Sequence, residues 1–201
     1  MRPALVLRHV VANLFGYAVV PVHEIGHVVA REVAGEGATA VQIGDGAAKE
    51  IRLFGVVWRL GRMPVGTGWQ GLTSGPWPEH ARLRLIIYAG GPFANLVCGV
   101  ICGWAFLQCH QGVAFAFFGV AALNMLACIG NLTPKERDGI VSDGLGILLC
   151  QRAPGEFVPP HIDQIPPALD PSVRRYHAAC CAVKWTTAAI GLVMIAARCT
   201  Q

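Results

Sequence analysis

Long apolar stretches alternate with shorter polar ones along the chain. Four of them are long enough, or nearly so, to cross a lipid bilayer as helices: residues 5–34, 83–109, 113–130 and 178–197. The last one contains Lys184, so it either crosses the bilayer or lies along its surface. The pattern predicts an α-helical integral membrane protein with about four transmembrane helices.

The segment between the first two apolar stretches has a different pattern, with short apolar runs separated by glycines. It predicts a small membrane-surface β-hairpin region of two or three strands. The expected order is a strand at 39–43, a turn at 44–46, a strand at 51–60, a short run ending at Gln70 and a loop at 73–78.

The whole chain, residues 1–201, is expected to form a single membrane domain. Its expected parts are helix 1 (1–34), a cytoplasmic β-rich loop (35–82), helices 2 and 3 with the segment that follows them (83–152), a proline-rich linker (153–177) and helix 4 (178–201). Arg2 and Arg8 precede an apolar run, as in a signal peptide, but no small-residue cleavage site ends that run before His23. We therefore expect the first segment to be retained.

Composition supports a membrane protein. Hydrophobic residues make up 54% of the chain and charged residues 14%, whereas soluble domains carry about 25% charged residues. The formal net charge is only +4, and no run of Lys and Arg is interleaved with aromatic residues. We therefore expect a lipid bilayer as a partner and no nucleic acid.

The first apolar stretch carries a candidate metal motif, His23-Glu24-Ile25-Gly26-His27. Helical positions four apart lie on one face, so His23 and His27 present their imidazoles to one point. This is the H-E-x-x-H arrangement, in which two histidines bind zinc and the glutamate is a base and not a ligand. The surrounding residues are apolar or small, and ionisable groups in such a run are costly unless they have a function. We expect one Zn²⁺ per chain, and a kink at Pro21 that admits water.

A third ligand is needed, and a carboxylate is common in such sites. Asp138 and Asp143 are the candidates nearest the end of a predicted membrane helix. Both have ordinary alternative roles: Asp138-Gly139 is a frequent turn sequence, and Ser142-Asp143 is a suitable cap for a helix over 144–151.

The second apolar stretch contains Gly90, Gly91 and Pro92, followed by Asn95. Glycines and a proline weaken a helix's own hydrogen bonding and let another backbone approach, and Asn95 offers an amide within an apolar stretch. Two interpretations remain open: a substrate-binding element, or a packing notch in which Asn95 bonds to a neighbouring helix.

Three motifs in order are similar to those of the site-2 protease family of intramembrane zinc metalloproteases. They are H-E-x-G-H at 23–27, G-P-x-x-N at 91–95, and N-L-x-P at 131–134 followed by Asp-Gly. The resemblance covers about residues 10–149 and implies a minimal form without a PDZ domain. It implies that His23, His27 and either Asp143 or Asp138 bind zinc and that Glu24 is the base. It also implies that Gly91, Pro92 and Asn95 contact the substrate or the oxyanion.

The position of the aspartate departs from the family pattern. Many members place it about five residues after the proline of N-L-x-P, whereas Asp138 lies four residues and Asp143 nine residues after Pro134. We prefer Asp143, because Ser-Asp-Gly followed by apolar residues looks like the helix-starting form of members with a longer loop.

The function implied by the resemblance is hydrolysis of peptide bonds in or near transmembrane segments of membrane protein substrates, in regulated intramembrane proteolysis. The alternative is a non-catalytic membrane protein with a structural or transport metal site. A catalytic site keeps an open coordination position, whereas a structural site is closed by four protein ligands.

The distribution of Lys and Arg predicts the orientation. The loop from Arg31 to Arg84 holds seven and the loop from Lys135 to Arg175 holds five, against three at the two termini. Positive charge is enriched in cytoplasmic loops. We therefore expect a multi-pass protein of the cell membrane with its active site towards the cytoplasmic side.

Overall fold

A computed structural model describes residues 3–62, 71–137 and 140–152, and part of 179–193. The described chain is mostly helical, with a small mixed sheet between the first two helices. The helices are α1 (Pro3–Val33), α2 (Ala81–Gln108), α3 (Gln111–Leu132) and α4 (Asp143–Arg152). The strands are β1 (Ala40–Ile43), β2 (Asp45–Leu53), β3 (Val56–Arg62), β4 (Gly71–Ser74), β5 (Glu136–Arg137) and β6 (Ile140–Val141).

The long helices coincide with the first three predicted apolar stretches. Within the described residues, α2 and α3 are the two helices long and apolar enough to cross a membrane, and only 33% of the most apolar window of each is buried. Membrane crossing by α1 and by residues 178–197 stays a prediction, and half of the latter segment lies outside the described residues. The helical assignment of α1 continues through Pro21, and the kink expected there also stays a prediction.

The sheet has the strand order β2-β3-β1-β4. Strand β1 pairs in parallel with β3 and antiparallel with β4, while β2 and β3 form an antiparallel hairpin. The sheet packs on α1 through a small apolar core, in which Val41 and Ile43 of β1 meet Val20 of α1 and Val56 of β3. The middle of α1 is thereby fixed against the sheet.

Three details of the predicted strands were wrong. The turn expected at 44–46 is reduced to Gly44, because β2 already begins at Asp45. The expected strand at 51–60 is divided by a turn at Phe54 and Gly55, which have φ angles of 53° and 80°. A two-residue turn with two positive φ angles matches the twist of a hairpin, but an apolar Phe in place of Asn or Asp hid it. Thr73 and Ser74, expected in a loop, belong to β4. The run ending at Gln70 lies outside the described residues.

Helices α1 and α2 cross where each has a glycine. A Cβ atom added to Gly26 would collide with the carbonyl of Gly90, and one added to Gly90 would collide with the carbonyl of Gly26. Close approach of backbones at small residues is a common way of packing helices in membranes. The crossing brings the H-E-x-x-H turn of α1 against the G-P-x-x-N turn of α2.

The start of α4 is fixed against the end of α3. Ser142 caps α4 as predicted, because its Oγ lies 3.4 Å from the Leu145 amide nitrogen, which donates to it. The same hydroxyl donates to the Thr133 carbonyl at 2.9 Å. A Cβ on Gly144 would overlap the backbone of Leu132, so the two helices meet without an intervening side chain. Asp143, the first residue of α4, is therefore held at a defined position.

The crossing predicts a difference between two glycines of α2. Gly90→Ala should destabilise the protein by about 1–3 kcal/mol, because the new methyl group overpacks a close backbone contact. Gly103→Ala is the matched control: its Cβ would meet nothing within 4 Å, so the change should be neutral or slightly stabilising. Thermal unfolding in detergent measures both variants. Equal stabilities would contradict the proposed contact.

Candidate metal centre

Three side chains converge on one point between α1 and the start of α4. The Nε2 atoms of His23 and His27 lie 3.1 Å apart. Asp143 completes the set, with Oδ2 at 3.1 Å from Nε2 of His23 and Oδ1 at 3.4 Å from Nε2 of His27. Each histidine is only 9% exposed. The side chains expected to bind zinc are therefore brought together in a nearly closed space.

The other nitrogen of each ring shows how the imidazoles are oriented. Nδ1 of His27 lies 2.7 Å from the carbonyl oxygen of Ile87, and Nδ1 of His23 lies 2.7 Å from Oδ1 of Asn95. Both partners are acceptors, so in the neutral rings the protons belong on Nδ1. The Nε2 atoms then direct lone pairs towards the shared point, and a hydrogen bond on the opposite nitrogen is typical of metal-binding histidines.

The electrostatics of the centre favour a cation. Burial raises the pKa of the Asp143 carboxyl, but the adjacent His27 and His23 outweigh it and lower that pKa to about 2. Asp143 is therefore ionised at neutral pH. Its negative charge favours a positive charge beside it, which either a proton on an imidazole or a metal ion supplies.

The three side chains are close enough to share one metal ion. Ligand atoms 2.0–2.1 Å from a tetrahedral zinc are separated by about 3.3 Å. The two Nε2 atoms are 3.1 Å apart, and the nearest Asp143 oxygen lies at 3.1 Å from that of His23 (Oδ2) and at 3.4 Å from that of His27 (Oδ1). These three side chains form the one group of metal-binding residues found in the described part of the chain. The cluster could therefore hold one metal ion, and two imidazoles with one carboxylate are a donor set of the kind that zinc accepts.

Asp143 lies beside both histidines and also begins α4, while metal binding by Asp143 stays a prediction. Asp138 lies outside the described residues, and its role as the alternative ligand stays a prediction. Ordinary helix capping by Ser142 does not compete with metal binding. It holds the start of α4, where Asp143 lies, against the end of α3.

Glu24 lies outside this ligand group and is almost completely buried, with 2% exposure. Its Oε2 accepts a hydrogen bond of 2.6 Å from Oγ1 of Thr73. Thr73 could not be predicted from the sequence, because only the pairing of β4 with β1 brings this residue to α1. The base predicted by the motif therefore has a fixed orientation.

Gly91 and Pro92 lie on the buried side of α2. A Cβ on Gly91 would be 2.5 Å from Cε1 of His23 and 2.5 Å from Nε2 of His27. Glycine is required at position 91 because the two imidazole rings occupy that space. A substrate contact for Gly91 or Pro92 stays a prediction.

Asn95 is fully buried behind His23. Its Nδ2 donates to Oδ1 of Asn124 on α3 at 2.7 Å and to the Val19 carbonyl on α1 at 3.3 Å. The predicted bonding of Asn95 across helices is confirmed, whereas its contact with a substrate backbone or oxyanion stays a prediction. Asn124 was missed by the sequence analysis, although an amide in an apolar stretch is itself a signal.

No model of a known protein family matches the chain, and no curated protein matches it significantly. The assignment of this centre therefore depends on its geometry and on the three sequence motifs.

The two aspartates give a direct test of the ligand set. Asp143→Asn should weaken Zn²⁺ binding by at least about tenfold, because it removes the only charged ligand. Asp138→Asn is the matched control and should bind Zn²⁺ as the wild type does. Zinc content and competition with a chelator measure both. If Asp138→Asn loses zinc and Asp143→Asn keeps it, the third ligand has been assigned wrongly.

Proposed function

We propose that the chain is a zinc-dependent intramembrane endopeptidase that cleaves membrane protein substrates in or near their transmembrane segments, as in the site-2 protease family. One observation carries the proposal: two histidines and one aspartate converge, while the buried carboxylate of Glu24 remains outside the ligand group. Structural zinc sites have four protein ligands, whereas catalytic sites have three and an open position. The geometry supports the catalytic kind.

Each side chain has a defined part in peptide hydrolysis. His23, His27 and Asp143 would hold the ion, which supplies Lewis acidity and makes water easier to deprotonate near neutral pH. Glu24 accepts the proton of the attacking water and delivers it to the leaving amine. The Thr73 hydroxyl donates a hydrogen bond to Oε2 of Glu24, which keeps the carboxylate in one orientation.

The sheet offers a place for an extended substrate. A peptide bond within a helix is shielded by neighbouring turns, so a transmembrane substrate must unwind before it is cut. Strand β4 is at the edge of the described sheet, and its Thr73 contacts Glu24. An extended segment that pairs with such an edge gains backbone hydrogen bonds. We propose that substrate binds alongside β4.

The surface of α2 supports a location within the bilayer. Phe93 and Trp104 are each 65% exposed and Ile101 is 60% exposed. A large exposed apolar surface is rare on soluble monomers and typical of membrane or protein contacts. The fully buried residues of α2 and α3 include the polar Asn95 and Asn124. Apolar residues outside and amides inside are what a lipid environment favours, so we propose a multi-pass protein with α1 and residues 178–197 as further spans.

The hairpin supports contact of the sheet with the membrane surface. Phe54, at its tip, is 100% exposed, and the neighbouring Leu53 is 48% exposed. A bilayer surface would cover both. With the excess of Lys and Arg in the two long loops, we propose that the sheet and the metal centre face the cytoplasmic side of the cell membrane.

The role of Glu24 separates an enzyme from a metal-binding protein. Glu24→Gln can still accept the Thr73 hydrogen bond but cannot take up a proton, so cleavage of a transmembrane substrate should fall by at least ~10²-fold. Zinc content should remain at about one per chain, because the ligands are unchanged. His23→Ala should lose both the bound zinc and the cleavage activity. Wild-type cleavage by Glu24→Gln would remove this residue from the mechanism, and a wild-type protein that binds zinc but cuts no substrate would favour a structural or transport role.

The proposed orientation predicts the outcome of reporter fusions. Reporters placed after Gly46 and after Pro160 should both be cytoplasmic, because the two long loops carry twelve of the Lys and Arg residues against three at the termini. A reporter at His110, between α2 and α3, should be on the opposite side. A cytoplasmic reporter at His110 would exclude this topology.

A further inference from the structure

Two asparagines are completely buried between the helices behind the metal centre: Asn95 on α2 and Asn124 on α3. Burying an amide without hydrogen-bond partners is costly, and more so among apolar helices. Both amides are bonded here, and the bonds form one continuous chain that ends at His23.

The direction of every bond in this chain follows from its far end. Nδ2 of Asn124 donates to the Val120 carbonyl at 2.9 Å. A carbonyl only accepts, so the amide nitrogen of Asn124 must lie at that end and Oδ1 must face Asn95. There Oδ1 of Asn124 accepts from Nδ2 of Asn95 at 2.7 Å.

Asn95 transmits this direction to the histidine. Its Nδ2 also lies 3.3 Å from the Val19 carbonyl, a second acceptor that requires nitrogen at this position. The remaining atom, Oδ1, therefore faces Nδ1 of His23 at 2.7 Å. His23 must donate from Nδ1, which leaves the lone pair of Nε2 for a metal ion.

A third amide lies near the same nitrogen. Nδ2 of Asn131 is 3.4 Å from Nδ1 of His23, longer than the 2.7 Å contact from Asn95. When Nδ1 of His23 donates to Asn95, Nδ1 of His23 and Nδ2 of Asn131 are both donors. Asn131 then does not compete with Asn95 for the proton on Nδ1. The two histidines thus differ: His27 is oriented by the backbone carbonyl of Ile87, and His23 by side chains alone.

We infer that Asn124 is a positioning residue of the metal centre and that it acts through Asn95. By holding Oδ1 of Asn95 towards His23, it selects the His23 tautomer and ring orientation that bind Zn²⁺. The inference rests on the metal site of the proposed function and does not require protease activity.

A double-mutant cycle on Zn²⁺ affinity tests the inference. Asn95→Leu and Asn124→Leu should each weaken binding by about 10–100-fold, as loss of an outer hydrogen-bond partner typically does. The double variant should bind as weakly as Asn95→Leu alone, because Asn124 has no route to His23 once Asn95 is absent. Affinities come from competition with a chromophoric chelator in detergent, and the visible spectrum of Co²⁺ reports the ligand geometry.

A matched control separates positioning from helix packing. Met125→Ala removes a side chain of α3 that packs against Gly99 of α2 and leaves Asn95 and Asn124 unchanged. Its Zn²⁺ affinity and Co²⁺ spectrum should match the wild type. Size-exclusion chromatography checks that each variant folds. If Asn124→Leu does not fold, Asn124→Ala is used in its place.

The possible results are distinguishable. Wild-type Zn²⁺ affinity in Asn124→Leu, or a double variant whose loss is the product of the two single losses, would overturn the inference and leave the metal site intact. Absence of zinc binding by the wild type would instead overturn the proposed function, and this inference with it.

Discussion

Two imidazole nitrogens and a carboxylate face one another within 3.4 Å, in a space that is almost closed to solvent. The carboxylate and the two imidazoles favour a positive charge among them in this poorly solvated site, supplied by a proton or by a metal ion. The surrounding contacts hold these three side chains together at a point where they could bind one metal ion.

Small residues make this convergence possible. Gly26 and Gly90 let α1 and α2 approach until their backbones touch, Gly91 leaves room for both imidazole rings, and Gly144 lets α4 begin against the end of α3. Hydrogen bonds of Ser142 then hold the start of α4 in place, and a hydrogen bond from Thr73 orients the Glu24 carboxylate. Close packing of the helices and hydrogen bonds between polar groups together give the site its geometry, with few charged residues.

The local parts of the site could be predicted from the sequence. His23 and His27 lie one helical turn apart, so their shared face follows from helix geometry alone. The three long helices and the cap at Ser142 are also local features. The choice of Asp143 needed the resemblance to a family as well, since residue types and spacing alone left both aspartates open.

The contacts that were missed join distant parts of the chain. Thr73 and Glu24 are separated by 49 positions, and Asn95 and Asn124 by 29. Such pairs depend on how the sheet and helices pack, and the short β4 has no pattern that predicts its partner. The hairpin turn at Phe54 and Gly55 was hidden for another reason: an apolar residue at φ 53° does not look like a turn.

Zinc K-edge X-ray absorption of the purified wild-type protein tests the central claim, that two histidines and one carboxylate hold zinc with a position left open. The predicted spectrum has two imidazole nitrogens at about 2.0–2.1 Å, further oxygen ligands and no sulfur. Sulfur at about 2.3 Å would contradict the account, because it would place zinc among some of the eight cysteines of the chain. A protein that retains no zinc would contradict it as well.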